Sequence, residues 1–505
     1  MNTTTARAAS PLAAYAAAAR TVARCAAPGA DVRAAVEALG HLLTAPGPHT
    51  GPAGPAAPAG PPPGGDAPRR LVELARLYGN HPFTPLESAR LRLGVDRESF
   101  AALLAAFARV PALRSAVTAG PAGKYWSNTV LPLEAKGVFD SVLANRPAVP
   151  DIVALYPGPT CMFRCHFCVR VTGARYEGDR LAAGNEMFAS VIDEVPTDDP
   201  YRMYVSGGLE PLTNPGLGAL VARAAARGLR LTLYTNAFAL TDRTWQRQPG
   251  LWDLHAIRTS LYGLNDEEYR ATTGKSGAFS RVRANLTRFQ ELRAGLDSPM
   301  RLGFSYIVLP GRADRLLDLV DFIAELDAAA PGRPVDFLKL REDYSGRPDG
   351  KIPLTERIEL QDALRAFEER VAARVPTLDV DYGYALHSLR AGADAELIRV
   401  MPEDMRPTLH PQASVQIDLL GDVYPYRESG FPGLAGADRY VLGRVGPDTT
   451  LAQVVDGFVT SGARVEPAAG DQYFLDGFDQ VVTARLNQTE ADLAAGWGEA
   501  RGFLR

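Results

Sequence analysis

Between residues 151 and 376 short apolar runs alternate with amphipathic helical stretches, and this rhythm constrains the fold more than any other feature of the chain. Six runs have strand length: Ile152 to Tyr156, Arg202 to Ser206, Leu229 to Thr235, Ile257 to Leu261, Leu302 to Leu309 and Val335 to Leu340. Helices are expected at Met187 to Val195, Gly216 to Ala226, Phe279 to Leu292, Arg315 to Ala328 and Glu356 to Ala373. Strands that alternate with helices pair in parallel, and right-handed crossovers curl such a sheet into a full or partial barrel. The expected class is α/β, a partial (β/α)6 TIM-like barrel, with its chemistry at the carboxyl ends of the strands.

The 505 residues exceed one ordinary domain. Residues 1–68 read as an Ala-rich helix followed by a Pro/Gly-rich linker, and residues 69–148 as a helical domain. In that domain Thr84, Pro85 and Glu87 form a capping box, Asp96 starts a further helix, and Lys124 to Leu133 is less regular, a lid or substrate loop. Residues 149–350 hold the barrel, and 351–505 an α+β extension with a hairpin, Val415 to Leu419 and Val423 to Tyr426, and a final helix near Thr483 to Leu493. Acidic residues number 58 against 54 basic, a net charge of -4, and the signs are interspersed; no basic run tracks a nucleic-acid backbone. No stretch approaches the roughly 20 apolar residues of a spanning helix, so neither nucleic acid nor membrane is an expected partner and a cytoplasmic location is expected.

Four cysteines occur: Cys161, Cys165 and Cys168 within one loop after the first strand, and Cys25 far away. This is no disulfide framework. Three thiolates hold only three irons of a cubane cluster and leave the fourth open to a chelating ligand. A structural zinc would want a fourth protein ligand, and His166, between two of the cysteines, is badly placed to supply it. A zinc site or a redox-only cluster stays open on the residues alone.

The Cys161-Met-Phe-Arg-Cys165-His-Phe-Cys168 loop resembles the signature of the radical S-adenosylmethionine (SAM) enzymes. The resemblance implies a radical SAM barrel, one 4Fe-4S cluster on the three cysteines, and SAM on the open iron, with Phe167 against its adenine. Ser206-Gly207-Gly208-Leu209-Glu210-Pro211 is similar to the family's Gly-Gly-Gly-Glu-Pro motif, with Leu209 in place of the third glycine; Glu210 would accept from the SAM amine. The resemblance also places Asn236, after the third strand, and Ser260, on the fourth, against SAM. A solvated turn glutamate and a loop-satisfying asparagine are the plainer alternatives. Arg341, after the sixth run, would meet a carboxylate or a diphosphate, or belong to a surface ion-pair network.

Longer stretches, Tyr156 to Tyr176, Ser206 to Gly216, Ile257 to Glu268 and Arg341 to Arg347, resemble the radical SAM sugar deaminases of TDP-desosamine biosynthesis, from about residue 69 to the end. This implies a carbon–nitrogen lyase acting on TDP-4-amino-4,6-dideoxy-D-glucose in deoxyamino sugar biosynthesis for a macrolide antibiotic. The C3 hydrogen would be abstracted and the C4 amine lost as ammonia, leaving TDP-3-keto-4,6-dideoxy-D-glucose. A flavodoxin-type electron donor is implied as partner. Tyr262, Glu342, Asp343 and Tyr344 are the acid/base candidates. Gln416 to Tyr426 is similar to the start of an auxiliary-cluster extension, yet no cysteine follows Cys168, so only a cap without thiolate ligands is expected there. A radical SAM dehydrogenase or a peptide-modifying enzyme is the alternative.

Overall fold

The computed structural model describes residues 11–44, 66–168, 171, 173–342, 352–393 and 400–504. Two compact units form, one of residues 1–136, 387–397 and 484–505, the other of residues 137–386 and 398–483.

The first unit is helical. Helices Pro11–Val22 and Val32–Thr44 precede Ala67–Asn80, and Arg76 from the last of these donates to the Cys25 carbonyl. Burial pushes the Cys25 thiol up to about 11, as expected of an inert core cysteine. Tyr78 packs against Trp126 and Phe503, which also meets Phe107. Two local expectations are corrected. Thr84 does not cap the next helix, Leu86–Leu93: its hydroxyl bonds the His81 carbonyl, and Asp492 accepts from the Leu86 N–H at 2.6 Å. Nor is Lys124 to Leu133 an irregular lid; it is helical, with a π-turn at Trp126–Val130, and Lys124, Tyr125 and Trp126 are buried.

The second unit is built on a ten-stranded sheet. Its strands are β1 (Ile152–Leu155), β2 (Met203–Val205), β3 (Thr232–Thr235), β4 (Ala256–Leu261), β5 (Arg301–Ile307), β6 (Phe337–Arg341), β7 (Asp379–Tyr382), β8 (Ser414–Ile417), β9 (Asp422–Tyr424) and β10 (Gly443–Arg444), in the order β10-β9-β8-β1-β2-β3-β4-β5-β6-β7. Neighbours from β1 to β7 pair in parallel. β8 joins β1 in parallel, and β9 and β10 continue antiparallel. The partial barrel expected from the rhythm is therefore present, and larger: a seventh parallel strand follows helix Arg357–Arg374, and the hairpin extends the same sheet. β7 escaped the reading because Asp-Val-Asp-Tyr is half polar, as suits an edge strand.

The two faces of this sheet differ. Val153, Leu155, Met203, Val205, Leu233, Ile257, Leu261, Phe304, Leu338 and Leu340 lie on the outer face and are buried. Helices such as Arg180–Glu194, Leu217–Ala226, Ala278–Gly295 and Arg315–Ala329 carry the matching apolar stripes. The alternate positions, Tyr204, Tyr234, Arg258, Ser260, Ser305, Lys339, Arg341 and Asp381, share the inner face and are polar, as the registers Tyr234 with Arg258, Ser260 with Ser305, and Ser305 with Lys339 with Asp381 establish. All but Ser305 are only half-buried. Among the described residues no single helix is long and apolar enough to cross a membrane.

Candidate active site

The cysteine loop leaves the carboxyl end of β1 and is pinned on both sides. Before Cys161, the Thr160 carbonyl accepts from the Glu210 N–H at 3.0 Å and from the Thr213 hydroxyl, and Asn214 donates to the Pro157 carbonyl. After it, the Arg164 and His166 N–H groups donate to the carbonyls of Thr273 and Thr272, at the end of helix Asp266–Thr273. Phe163 is buried among Phe238, Tyr262 and Tyr269. Cys161, Cys165 and Cys168 are thus carried on a braced loop, each half-buried.

Phe167 stacks on Tyr262, with centroids 5.8 Å apart and planes at 30°. Burial pushes the Tyr262 phenol well above its ordinary range, and the charges of Cys165, Cys161 and Cys168 push it further. Asn236 approaches from β3: its side-chain N–H stands 3.9 Å from the Cys161 sulfur and 3.4 Å from that of Met162. The same side chain accepts from the Phe238 N–H.

Glu210 is buried and fully engaged. It accepts from the Leu212 N–H, the Thr235 hydroxyl and, at 2.9 Å, the Asn236 N–H. It therefore ties the end of β2 to the end of β3 and sets where Asn236 points. Gly207 and Gly208 lie where backbone must pass closely: a Cβ on Gly207 would run into the Leu209 carbonyl oxygen, and one on Gly208 would stand 2.5 Å from that of Gly430.

Ser260 sits on the inner face of β4 opposite Ser305. Arg341 ends β6 on the same face. Glu342 is buried and accepts from the Ala385 N–H at 2.9 Å, at the start of helix Tyr384–Arg390. Asp343 and Tyr344 lie outside the described residues. Of the acid/base candidates among the described residues, Tyr262 stacks on Phe167 of the cysteine loop.

Residues without an assigned role in the sequence line the inner face below this mouth. Arg258 donates to the Tyr234 hydroxyl and to Ser305, each at 3.2 Å, and lies over the Tyr234 ring. Tyr204 packs against Tyr234, and Arg427 lies over Tyr204. Lys339 pairs with Asp381 at 3.1 Å. The signal for these was period two: Lys339 and Arg341 interrupt an apolar run at alternate positions, which an outward-packed strand would not tolerate.

This chain belongs to the radical SAM superfamily. The superfamily model matches residues 155–323, the stretch from β1 into the helix after β5. The chain is 66% identical over 482 residues, 95% of its own length and 97% of the relative's, to dTDP-4-amino-4,6-dideoxy-D-glucose ammonia-lyase of Streptomyces venezuelae. It is 29% identical over 168 residues, 32% of its length and 48% of the relative's, to GTP 3',8-cyclase of Picosynechococcus sp.. A crystal structure of Streptococcus suis SuiB bound to precursor peptide SuiA aligns with a TM-score of 0.44 and 14% identity, covering 64% of this chain and 70% of that one.

The cofactors of the family are a 4Fe-4S cluster and SAM, and the donor set fits them. Three soft thiols on one braced loop are the ligands a site-differentiated cubane takes, one to each of three irons. The close backbone at Gly207 and Gly208 and the polar end of β3 at Asn236 stand beside the loop, where a chelating amino acid would need donors and acceptors.

Proposed function

We propose that this chain is a radical SAM carbon–nitrogen lyase that converts TDP-4-amino-4,6-dideoxy-D-glucose to TDP-3-keto-4,6-dideoxy-D-glucose and ammonia, in deoxyamino sugar biosynthesis. The observation that carries this reading is the 66% identity across 95% of the chain, which spans both units and is not confined to the barrel. When bound, the cluster and SAM supply the radical that takes the C3 hydrogen.

The rest of the chemistry falls to the chain. Cys161, Cys165 and Cys168 would hold the irons; Gly207, Gly208, Asn236 and Ser260 would line SAM, with Phe167 at its adenine and Glu210 bracing the strand ends. With the C3 hydrogen gone, the O3 proton passes to a base and the C4–N bond of the protonated amine breaks with its electron pair on nitrogen. C3 becomes a carbonyl, ammonia departs, and the unpaired electron rests on C4. One electron from a flavodoxin-type donor and one proton close that carbon. A general base must meet O3, and Tyr262, Glu342, Asp343 and Tyr344 are its candidates; the stacking of Tyr262 on Phe167 supports Tyr262. The polar inner face suits a sugar nucleotide, and the buried outer face holds the walls rigid, which favours a fixed C3 position.

The test is anaerobic incubation of reduced holoenzyme with SAM and the amino sugar nucleotide. Ammonia and 5'-deoxyadenosine are expected together, and Cys165→Ala is expected to lose both. An oxidised sugar that retains its amine would make the protein a dehydrogenase and sink the lyase.

A further inference from the structure

We propose that Arg258, Lys339 and Arg427, on the inner face below the cysteine loop, form the receptor for the substrate's diphosphate; this rests on the sugar-nucleotide reading above. Arg258 is the central member. Its two hydrogen-bond partners, the Tyr234 and Ser305 hydroxyls, are neutral, its Nε is buried without a partner, and no carboxylate among the described residues lies within ion-pair distance of it. A half-buried guanidinium without a counter-charge is costly unless a ligand supplies one.

Lys339 and Arg427 flank it. Lys339 is two residues further along its strand than the register level of Arg258, opposite Ser305; it pairs with Asp381, and both side chains stay partly open. Arg427 comes from the segment after the β8–β9 hairpin, lies over Tyr204 and Phe478, and pairs with Asp476 at 3.1 Å. Asp479 accepts from the Arg427 backbone N–H, and burial and the nearby Asp476 push its carboxyl well above the usual range. The carboxylates in this group are engaged elsewhere, Asp381 with Lys339, Asp476 with the Arg427 side chain and Asp479 with its backbone N–H, and among the described residues none of the three forms an ion pair with Arg258.

Tyr234 reports the same convergence. Burial pushes its phenol up, yet the charges of Arg258, Lys339 and Arg427, with the hydrogen bond from Arg258, outweigh burial and bring it below its ordinary value. The neighbouring Tyr204, equally enclosed, moves the other way. A planar guanidinium that can offer two parallel N–H groups, beside an ammonium, is the donor set that suits a diphosphate diester. Arg258 precedes Ser260 by two residues on the same face, about 7 Å deeper at the strand rise of roughly 3.3 Å per residue. The cationic patch thus runs from the level of Ser260, which Lys339 shares, to one inner-face position deeper at Arg258.

Equilibrium titration of the reconstituted holoenzyme with TDP and, separately, with inorganic pyrophosphate tests this, with SAM affinity measured on the same preparations. Arg258→Gln is expected to weaken both anions about 10- to 100-fold, as loss of a charge-assisted contact does, and to leave SAM affinity unchanged. Arg258→Lys should recover part of the loss. Lys339→Gln should weaken both about 5- to 10-fold and serves as the second variant if Arg258→Gln fails to fold. Affinities within about twofold of wild type in both variants would overturn the receptor. So would a loss of SAM affinity in place of TDP affinity, which would assign Arg258 to the SAM carboxylate. Wild-type enzyme that binds pyrophosphate but not TDP, with Arg258→Gln weakening pyrophosphate, would keep the receptor and sink the sugar-nucleotide reading; binding of neither anion would sink both.

Discussion

The two faces of one sheet do different work with the same strands. On the outer face most positions are apolar and pressed against helices; on the inner face their neighbours include tyrosines, serines, arginines and a lysine, most of them partly open. A strand in an all-parallel sheet is ordinarily buried on both sides and reads as a continuous apolar run. Here the apolar pattern is strongest on the outer face, and the inner face carries the polar residues proposed to meet the sugar nucleotide. The lesson is that stability and recognition are separated by a single residue of register, and that separation can be broken experimentally.

The largest effect is expected on the outer face. Phe304 on β5 is fully buried and meets Phe322 of helix Arg315–Ala329 at 6.0 Å. Phe304→Ala should cost about 3–5 kcal/mol through lost burial and the cavity left behind. Denaturant unfolding would measure it, and the KM for the sugar nucleotide should hold in the protein that remains folded. A raised KM at unchanged stability would show that the faces are not independent.

The next effect is smaller and belongs to the inner side. Asp418 follows Gln416 by two residues, just past β8, and accepts from the Tyr176 hydroxyl at 2.9 Å and from the Leu420 and Asp422 N–H groups. Burial, and then the charge of Asp422, raise its carboxyl from 3.8 to about 6; Tyr424, whose own phenol is raised, also faces it. The folded state thus binds this proton more tightly than the unfolded chain. The stabilisation is complete below about pH 4 and is lost as pH rises through about 6. The two values differ by about 2 pH units, so about 3 kcal/mol is the ceiling. Asp418→Asn should flatten the pH dependence of unfolding between pH 4 and 7 relative to wild type. Because Asp492 in the helical unit is also raised to about 6, the quantity to follow is the difference between the two profiles; an unchanged difference would remove Asp418 as the source.

Much of the barrel was legible because the outer face supplied the apolar half of each strand: the six runs coincide with β1 to β6 within three residues at either end. The cysteine loop was legible because thiol spacing is rare and chemically specific. What stayed hidden depended on partners distant in sequence. Asp492 caps a helix that begins at Leu86, Glu210 binds donors on β3, and Arg258 acquires its role only when Tyr234, Lys339 and Arg427 surround it. β7 and the union of β8 with β1 were missed for the same reason, since an edge strand and a returning hairpin are defined by what they pair with. The Leu209 that replaces a glycine in the second motif is buried, so its departure is absorbed by packing beside the glycines and not by the loop contacts to Thr160.

The smallest stability effect gives the sharpest contrast, because it concerns the residue next to Phe304. Ser305 points to the inner face, where its hydroxyl accepts from Arg258 at 3.2 Å. Ser305→Ala removes one neutral acceptor and almost no volume, so unfolding should shift by only about 0.5–1.5 kcal/mol. Arg258 would then keep Tyr234 as its one hydroxyl partner among the described residues, and its guanidinium would be free to turn. If the inner face positions the nucleotide, KM should rise several-fold while kcat changes little, since the contact is made before and after the chemical step alike. A fall in kcat at unchanged KM would instead place Ser305 among the groups felt only in the transition state, and would move the boundary between recognition and chemistry one layer deeper into the barrel.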